Sequence, residues 1–526
     1  MDTKALRQKI LDLAIRGKLV PQDPNDEPAS VLLERIRAEK QQMVKDGKLK
    51  AKDIKNDTVI FKGEDNLHYE KFADGTVKCI EEEIPFELPE RWECERLSNI
   101  ASFSGGKTPS TSIAEFWGND YLWITSKDMK NKYLDSSQIS LSEKGAEIMQ
   151  IIPPDTILLV ARSGILRHTL PVAILKEYAT INQDIKAISL YDTSLVEFIY
   201  SFLKGMESYI LLRYTKSGTT VENINFDEFK NIIIPVPPKS ERIQIINKIN
   251  TLLSFVDTIE SDKTDLQTII QQTKSKILDL AIRGKLFPQD PNDEPASVLL
   301  ERIRTEKEEL IKQGKIKRDK KESVIFKGED NSYYEKYHDG KLHCLDDELP
   351  FELPKGWEWC NLSMIGSTNI GLTYRPTDIV TDGVIVLRSC NIVNDQIDLN
   401  DLVRVQTTIR DNQFAQENDI LICARNGSKA LVGKCALIPD FGEQASFGAF
   451  MAIYRTKFYE YIVHFIRSNY FRSIFDDSNS TAINQLTQDM LKRAIVPFPP
   501  LTEQYRIVTA IKLMMTELNQ IEKSLN

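Results

Sequence analysis

The sequence lacks the cysteine and histidine patterns that hold metal ions or build disulfide scaffolds. Its seven cysteines are scattered and form no Cys-x-x-Cys pair, and its five histidines show no metal-ligand spacing. Neither a zinc site nor a disulfide framework is therefore indicated, and a reduced, cytoplasmic chain is the simplest interpretation. The first twenty residues hold no signal-peptide core and no run of eighteen apolar residues occurs, so we expect neither export nor membrane insertion.

An excess of positive charge is also missing. Lysine and arginine together number 68, against 77 aspartates and glutamates, which gives a formal net charge of −9. Bulk charge is therefore not the signature of a nucleic-acid binder, and any such contact must come from local clusters. The length of 526 residues predicts three or four domains, with ample material for hydrophobic cores.

Catalytic motifs are the third absence. The stretch 101–108 fits a relaxed phosphate-loop pattern, but Ala101 stands at the first glycine position and Pro109 follows where a helix should begin. A polar loop whose backbone approaches a ligand closely is the better interpretation. The Pro-Pro pairs at 153, 237 and 499 lack the flanking residues of a methyltransferase signature, and no nucleophile is paired with a base. The chain is predicted to be non-catalytic and to bind no cofactor itself.

What the sequence does contain is a long heptad pattern in its middle, over residues 240–286. Apolar residues recur there at alternating steps of four and three, interrupted by one lysine and one threonine, over about five heptads. A single helix with one apolar stripe requires a partner helix. The seam positions are Ile245, Ile249, Leu252, Val256, Ile259, Lys263, Leu266, Ile270, Thr273, Ile277 and Leu280.

The two ends of the chain supply that partner, because the sequence is an internal repeat. Residues 9–40 recur as 276–307 with two changes, and the heptad after Glu503 repeats the one after Glu241 at an offset of 262. The C-terminus therefore stops, in repeat register, about where the N-terminus resumes. This arrangement predicts a closed ring of two halves, in which two long antiparallel helices separate two globular domains about a pseudo-two-fold axis.

The fold class predicted is α/β, with two globular α/β domains separated by a pair of coiled-coil helices. Short apolar runs punctuated by turns indicate mixed strands and helices in both globular domains. The predicted segments are a helical hairpin (1–40), a linker with short strands (41–96), the first globular domain (97–239), the central coiled-coil helix (240–307), a second linker (308–361), the second globular domain (362–501) and a C-terminal helix (502–526).

Polar and basic side chains follow strand-like runs at matching places in the two globular domains. Residues 157–164 align in type with 420–427, and in each an arginine follows the five apolar residues. Arginine pairs with guanine, and asparagine or glutamine pairs with adenine, while lysines suit phosphates. The candidate DNA-contacting residues are Lys107, Thr108, Ser110, Thr125, Arg162, Ser163, Arg167, His168, Lys216, Thr219 and Asn223 in the first domain, and Tyr374, Arg375, Arg388, Ser389, Arg425, Asn426, Ser428, Lys429, Asn484 and Gln485 in the second.

Taken together, these features resemble the specificity subunit of type I restriction-modification enzymes over nearly the whole chain. The resemblance is carried by Pro-Val-Pro-Pro-Lys-Ser-Glu at 235–241, Pro-Phe-Pro-Pro-Leu-Thr-Glu at 497–503, the repeated Lys-Ile-Leu-Asp-Leu-Ala-Ile-Arg-Gly-Lys-Leu block, and Gly-Gly-Lys-Thr-Pro-Ser at 105–110. The family's usual Glu-Gln pair is kept at Glu503-Gln504 but is Glu241-Arg242 in the first half.

The resemblance implies partners and cofactors that the residues alone do not. Each globular domain would be a target recognition domain that reads one half of a split double-stranded DNA site. The helix pair would set the gap and dock two methyltransferase subunits, which use S-adenosylmethionine, and two restriction subunits, which use ATP and Mg²⁺. Two alternatives stay open at this point: a coiled-coil scaffold without a DNA role, and a nucleotide-dependent DNA-modifying enzyme that uses Lys107 and Thr108.

Overall fold

Two units of mixed α/β structure make up the fold. The computed structural model describes residues 2–216, 221–319, 322–476 and 485–525. The chain divides into one unit of residues 1–262 and another of residues 263–526. The predicted α/β class and the presence of two domains are confirmed. Over the described ranges, no helix combines the length and apolar character needed to cross a bilayer.

The first unit contains nine α-helices within its described residues, the last of which continues beyond it. Thr3–Ile15 ends where Gly17 takes a positive φ of 64°, and Ala29–Lys45 begins directly after Pro28. Both boundaries follow from residue types that start or stop helices. The helices are Thr3–Ile15, Ala29–Lys45, Ala51–Ile54, Leu97–Ile100, Glu143–Glu147, Val196–Gly205, Glu207–Tyr214, Phe226–Phe229 and Lys239–Ile282.

The central strand of the first unit is Ile157–Val160, whose four side chains are all buried. It lies antiparallel between two neighbours, with Leu158 opposite both Ala173 and Ala187. In sheet order, the five-stranded sheet is Ala101–Gly105, Ile185–Leu190, Ile157–Val160, Val172–Leu175 and Tyr133–Leu134; the four-stranded sheet is Ala179–Ile181, Tyr121–Ile124, Ser140–Leu141 and Trp117–Gly118; the three-stranded sheet is Arg162–Ser163, Glu222–Ile224 and Thr215–Lys216; and Ile233–Val236 pairs with Glu93–Arg96.

The second unit repeats this plan with its own side chains. Its central strand, Ile420–Cys423, is again buried and places Leu421 opposite Ala436 and Ile453. In sheet order, its strands are Ser367–Ile370, Met451–Arg455, Ile420–Cys423 and Cys435–Leu437; Val403–Val405, Ile379–Leu387 and Ala445–Phe447; Ile392–Val393 with Gln396–Ile397; and Glu358–Asn361 with Ile495–Phe498. Its helices are Ala296–Lys312, Leu362–Ile365, Tyr459–Arg467, Asn469–Asp476, Gln488–Arg493 and Leu501–Leu525.

The segment 240–307, predicted as one helix, is two. Lys239–Ile282 forms a continuous helix of 44 residues, and Ala296–Lys312 is a separate one. Gly284 ends the first with a positive φ of 61°, and Pro288, Pro291 and Pro295 follow before the second begins. The heptad seam itself ends at Leu280, and the glycine and prolines that follow stop the helix.

Each linker contains a small three-stranded antiparallel sheet, as the sequence predicted for 41–96. In the first unit the strands are Val59–Lys62, His68–Lys71 and Val77–Cys79. In the second they are Ser323–Lys327, Tyr333–Tyr337 and Leu342–Cys344. The short turns between these strands fix their register.

A buried tryptophan and a buried glutamate brace each unit in the same way. The Nε1 of Trp92 donates to Glu241 at 2.9 Å, and the Nε1 of Trp357 donates to Glu503 at 2.8 Å. Burial raises the pKa of Glu241 and of Glu503 above the ordinary glutamate value, although the tryptophan hydrogen bond opposes the shift in both. The two braces tie the first turn of each long helix to the residue just before the strand Glu93–Arg96 or Glu358–Asn361.

Candidate nucleic-acid interface

In the first unit, a short sheet brings together three of the predicted DNA-contacting residues. Arg162 lies directly opposite Asn223 across one antiparallel strand pair, and Lys216 lies opposite Asn223 across the other. Directly opposed residues in an antiparallel pair point to the same face. Arg162 and Lys216 are exposed and Asn223 is half-buried. Their side chains therefore form one solvent-facing row.

The loop 182–184 joins this row to the rest of the predicted site. The backbone N–H groups of Ala161 and Arg162 donate to the carbonyl of Asp184 at 2.7 and 3.2 Å. On the other side of the loop, the backbone N–H of Lys107 donates to the carbonyl oxygen of Ile181 at 3.1 Å. The backbone N–H of Asn182 donates to the carbonyl oxygen of Ile124, also at 3.1 Å. These bonds set Lys107, Thr125 and Arg162 around one loop. We call this assembly site 1: residues 107–108, Thr125, Arg162, loop 182–184, Lys216 and Asn223.

The second unit has the same backbone pattern. Arg425 forms an antiparallel bridge with Gln485, and the N–H groups of Ala424 and Arg425 donate to the carbonyl of Phe450 at 2.9 and 3.0 Å. Likewise, the backbone N–H of Leu372 donates to the carbonyl oxygen of Phe447 at 2.6 Å, and that of Gly448 donates to the carbonyl oxygen of Leu387 at 2.9 Å. We call this assembly site 2: residues 372–375, Arg388, Arg425, loop 448–450 and Gln485.

Glycine is required in both sites because the chain passes very close to a neighbouring strand end. A Cβ on Gly106 would clash with the carbonyl oxygen of Ile181, and one on Gly371 would clash with that of Gly448. These glycines are therefore required by the packing of the protein's own backbone, and the close approach of this loop to a ligand stays a prediction. The phosphate-loop alternative also loses support, since Pro109 is buried and the next helical turn begins only at Ala114.

Three candidates in the first unit lie away from the Arg162 row. Ser163 pairs opposite Glu222, so its side chain points to the other face of the strand, where it accepts from the N–H of Ile165 at 3.4 Å. Arg167 is held there by Glu222, with its Nε donating at 2.9 Å. His168 is exposed at the end of the following helical turn. Consecutive residues of a strand point to opposite faces, so residues 162–168 are not one cluster.

Several other candidates are engaged in local structure. Thr125 donates its hydroxyl to Asp128 at 2.7 Å, and Ser110 shares a 2.7 Å hydrogen bond with Ser112. In the second unit, Arg388 donates to the Asp401 carboxylate at 2.8 Å, and Ser389 begins the next helical turn. These contacts fix the loops but also compete with DNA for the same polar groups.

The remaining candidates lie in loops of the second unit or outside the described residues. Asn426 accepts from the N–H of Ser428 at 3.0 Å, and Lys429 begins a helical turn. Arg375 is exposed, while Tyr374 packs against the apolar cluster around Leu372. Thr219 and Asn484 lie outside the described residues.

Sequence reasoning missed two exposed side chains. Gln183 accepts a hydrogen bond from the Thr108 hydroxyl and so belongs to site 1. Phe450 is 61% exposed, and the Cζ of Arg425 lies 5.5 Å from its ring centroid. Both residues stand just before a strand, where a single polar or aromatic residue belongs to no periodic sequence pattern. Only the pairing of distant strands reveals their neighbours.

The two sites offer hydrogen-bond donors and acceptors rather than a catalytic constellation. Arginine, lysine and amide side chains are the groups that contact base edges and phosphates. Across the described residues, no three His, Cys, Asp or Glu side chains gather where they could hold a metal ion. The geometry suits recognition of a polar, anionic polymer.

Comparison with known proteins identifies the family. The family model for the type I restriction modification DNA specificity domain matches residues 89–269 and 354–526. The chain is 28% identical over 592 residues to the type I restriction enzyme EcoAI specificity subunit of Escherichia coli, covering 99% of this chain and 90% of that protein. It is 30% identical over 422 residues to the EcoEI specificity subunit of Escherichia coli, covering 69% and 61%.

A solved structure agrees at the level of the fold. It is described as the structural basis of complex assembly and conformational transition of the type I R-M system, and it matches with a TM-score of 0.56 at 15% identity, covering 84% of this chain and 94% of that one. The chain therefore belongs to the type I restriction-modification DNA specificity family, whose members are non-catalytic recognition subunits. The predicted family is confirmed, and so is the prediction that the chain is a recognition subunit.

Proposed function

We propose that this chain binds a bipartite, gapped site in double-stranded DNA, with site 1 reading one half and site 2 the other. The observation that carries the proposal is the repeated pairing of an arginine with an amide residue, Arg162 with Asn223 and Arg425 with Gln485. The same backbone hydrogen bonds hold both pairs, while the surrounding side chains differ. One framework thus carries two different sets of base-reading groups.

The side-chain chemistry gives each pair a plausible target. A bidentate arginine–guanine or amide–adenine contact contributes about 1–3 kcal/mol of discrimination against the wrong base. Opposed Cβ atoms in an antiparallel pair lie about 5 Å apart, which suits contacts to neighbouring base pairs. Lys107 and Lys216 are exposed beside this row and suit phosphate contacts.

The spacing between the half-sites would be set by the long helices. At a rise of about 1.5 Å per residue, the 44-residue helix is about 66 Å long, and half-sites one DNA turn apart are about 34 Å apart. Within each unit, the central helix contacts a helix from one end of the chain. Arg7 contacts Glu260 at 2.9 Å, and Glu522 contacts Lys274 at 2.6 Å. The closed ring and its pseudo-two-fold axis rest on the sequence repeat.

The partners in this proposal are two methyltransferase subunits and two restriction subunits. The former would use S-adenosylmethionine and the latter ATP and Mg²⁺, with this chain contributing the choice of site. Adenine methylation within a duplex requires flipping the base, so the sites would hold DNA while a partner acts on it. The net charge of −9 predicts weak DNA binding by the isolated chain and tight binding only with the methyltransferase.

Selection from a random DNA library, with this chain co-purified with its methyltransferase, tests the proposal. Two short sequence blocks separated by a gap constant to the base pair are expected. A contiguous motif, or no enrichment, would contradict two readers on one framework. Tight sequence-specific binding by the chain alone would contradict the expected division of labour.

A further inference from the structure

We propose that Phe450 positions the guanidinium of Arg425 to read a guanine in the half-site bound by the second unit. This inference rests on the proposed function and assigns a base and a positioning residue to site 2. It concerns one aromatic side chain, which has no counterpart at the matched position of the first unit.

Phe450 holds Arg425 at two points. Its carbonyl oxygen accepts hydrogen bonds from the backbone N–H groups of Ala424 and Arg425 at 2.9 and 3.0 Å. Its ring lies beside the guanidinium of Arg425, with 5.5 Å between Cζ and the ring centroid. The backbone and the charged end of one arginine are thus both fixed by a single residue of the loop.

The exposure of Phe450 shows that burial in the core does not explain it. The residue is 61% exposed, whereas its neighbours Phe447 and Met451 are at most 1% exposed. An exposed phenylalanine gains little from the hydrophobic effect. The contact that the structure supplies is the guanidinium of Arg425.

Stacking an arginine on a ring leaves its hydrogen-bonding edge available. The guanidinium presents its N–H groups in its own plane, so a ring against its face restricts rotation without occupying the donors. An arginine restricted in this way loses less entropy when it binds. The bidentate fork matches the O6 and N7 acceptors of guanine, which is the commonest specific arginine contact in the major groove.

The first unit provides the internal contrast. The carbonyl oxygen of Asp184 accepts from the backbone N–H groups of Ala161 and Arg162, in the same way that the carbonyl of Phe450 accepts from Ala424 and Arg425. The side chain of Asp184, however, is a carboxylate that accepts from Asn182 at 3.4 Å. Among the described residues, none places an aromatic ring against the Arg162 guanidinium. The positioning device is therefore specific to site 2, and only that half of the DNA site should depend on it.

The test uses the full chain with its methyltransferase and the gapped duplex obtained by library selection. Binding of duplexes carrying each base pair at each position is compared for wild type, R425A, F450L, F450Y and F450W. Replacing the critical guanine with 7-deazaguanine, which lacks the N7 acceptor, identifies its position. Tyr178→Leu, which removes an equally exposed aromatic residue of the first unit (61%), is the matched control.

The expected result is confined to one guanine of one block. R425A should lower discrimination there by about 5- to 150-fold, and F450L by about two- to fivefold. F450Y and F450W keep an aromatic face and should stay close to wild type. F450L should add nothing in the R425A background, because Phe450 acts through Arg425.

Three outcomes would overturn the inference. The first is the absence of any guanine in the second block that is sensitive to 7-deaza substitution. The second is an equal effect of F450L with and without Arg425, which would make Phe450 a direct DNA contact. The third is an F450L variant that unfolds thermally like wild type and keeps the wild-type preference for guanine. Failure to select any gapped motif would instead refute the proposed function itself.

Discussion

The braces and the reading sites of this protein repeat in different ways. Trp92 with Glu241 and Trp357 with Glu503 repeat side chain for side chain, with hydrogen bonds of 2.9 and 2.8 Å. Site 1 and site 2 repeat in their backbone hydrogen bonds and in the pairing of an arginine with an amide residue, while most of their other side chains differ. A brace has to fit a closed interior, so its side chains are fixed by packing. A reading face points to solvent, so its side chains are free to differ while its backbone stays in place.

The comparison predicts the largest effect for loss of a brace. Trp92→Ala and Trp357→Ala should each lower the free energy of unfolding by about 3–5 kcal/mol, because a buried indole leaves a cavity and an unpaired glutamate. Denaturant unfolding followed by circular dichroism measures this cost. Similar values for the two variants would support equivalent braces, whereas a value below 1 kcal/mol in only one unit would break the equivalence.

The next effect concerns the glycine packed beneath each tryptophan. Gly17→Ala and Gly284→Ala should cost about 2–4 kcal/mol, because both glycines have positive φ and a Cβ would clash with Pro89 or Pro354. Gly47→Ala is the matched control, since Gly47 also has positive φ but no atom within 4 Å of the added Cβ. Thermal unfolding should show a smaller loss for Gly47→Ala, and equal losses would remove the packing argument.

A change in one reading face should leave the other intact. Arg425→Ala is expected to relax one block of the DNA site by about 1–3 kcal/mol, and Arg162→Ala should relax the other by a similar amount. Competition binding with single-base variants of the selected duplex measures both. Relaxation of both blocks by one substitution would mean that the two units do not read independently.

The smallest expected effect is a pH-dependent change in stability, which should differ between the two braces. The pKa of Glu241 and of Glu503 is raised in the folded protein, mainly by burial, so folding binds protons and the free energy of unfolding falls as pH rises through the raised pKa. Glu241→Gln removes this loss and should gain stability relative to wild type between about pH 4 and neutral pH. Glutamine keeps an acceptor for Trp92.

Glu503→Gln should gain less. One oxygen of Glu503 accepts from Gln289 at 3.3 Å, whereas Oε1 of Glu241 is buried without a hydrogen bond to any described residue. In Glu503→Gln, the new side-chain amide N–H would face the side-chain N–H of Gln289. Unfolding curves at a series of pH values measure the difference, and a larger gain for Glu503→Gln would contradict this account of the two carboxylates.

The repeat and the strands were predictable because they rest on local signals. Four-residue apolar runs such as Ile157–Val160 and Ile420–Cys423, bounded by turn residues, indicate buried strands from sequence alone. The small sheet within 41–96 was predictable for the same reason. The central helix was also predictable, since the heptad pattern over 240–286 nearly matches the helix Lys239–Ile282, and only the segment bound at 307 lies too far along the chain.

The candidate sites were predictable only in part. Arg162 and Arg425 stand at the end of recognisable strands, so their position follows from the sequence. Their pairing with Asn223 and Gln485, about 60 residues further along the chain, depends on strand register, which no local pattern gives. The opposite orientation of Ser163 was missed because the strand Arg162–Ser163 is only two residues long.

The most direct test of two independent readers on one framework is to duplicate one reader. Residues 362–501 would be replaced by a copy of residues 97–239, and the DNA site would be selected from a random library with the methyltransferase present. If the two halves are related by a two-fold axis, the selected site should be an inverted repeat of the first block with the original gap, since site symmetry follows protein symmetry. A direct repeat of that block, or recovery of the wild-type motif, would contradict the account.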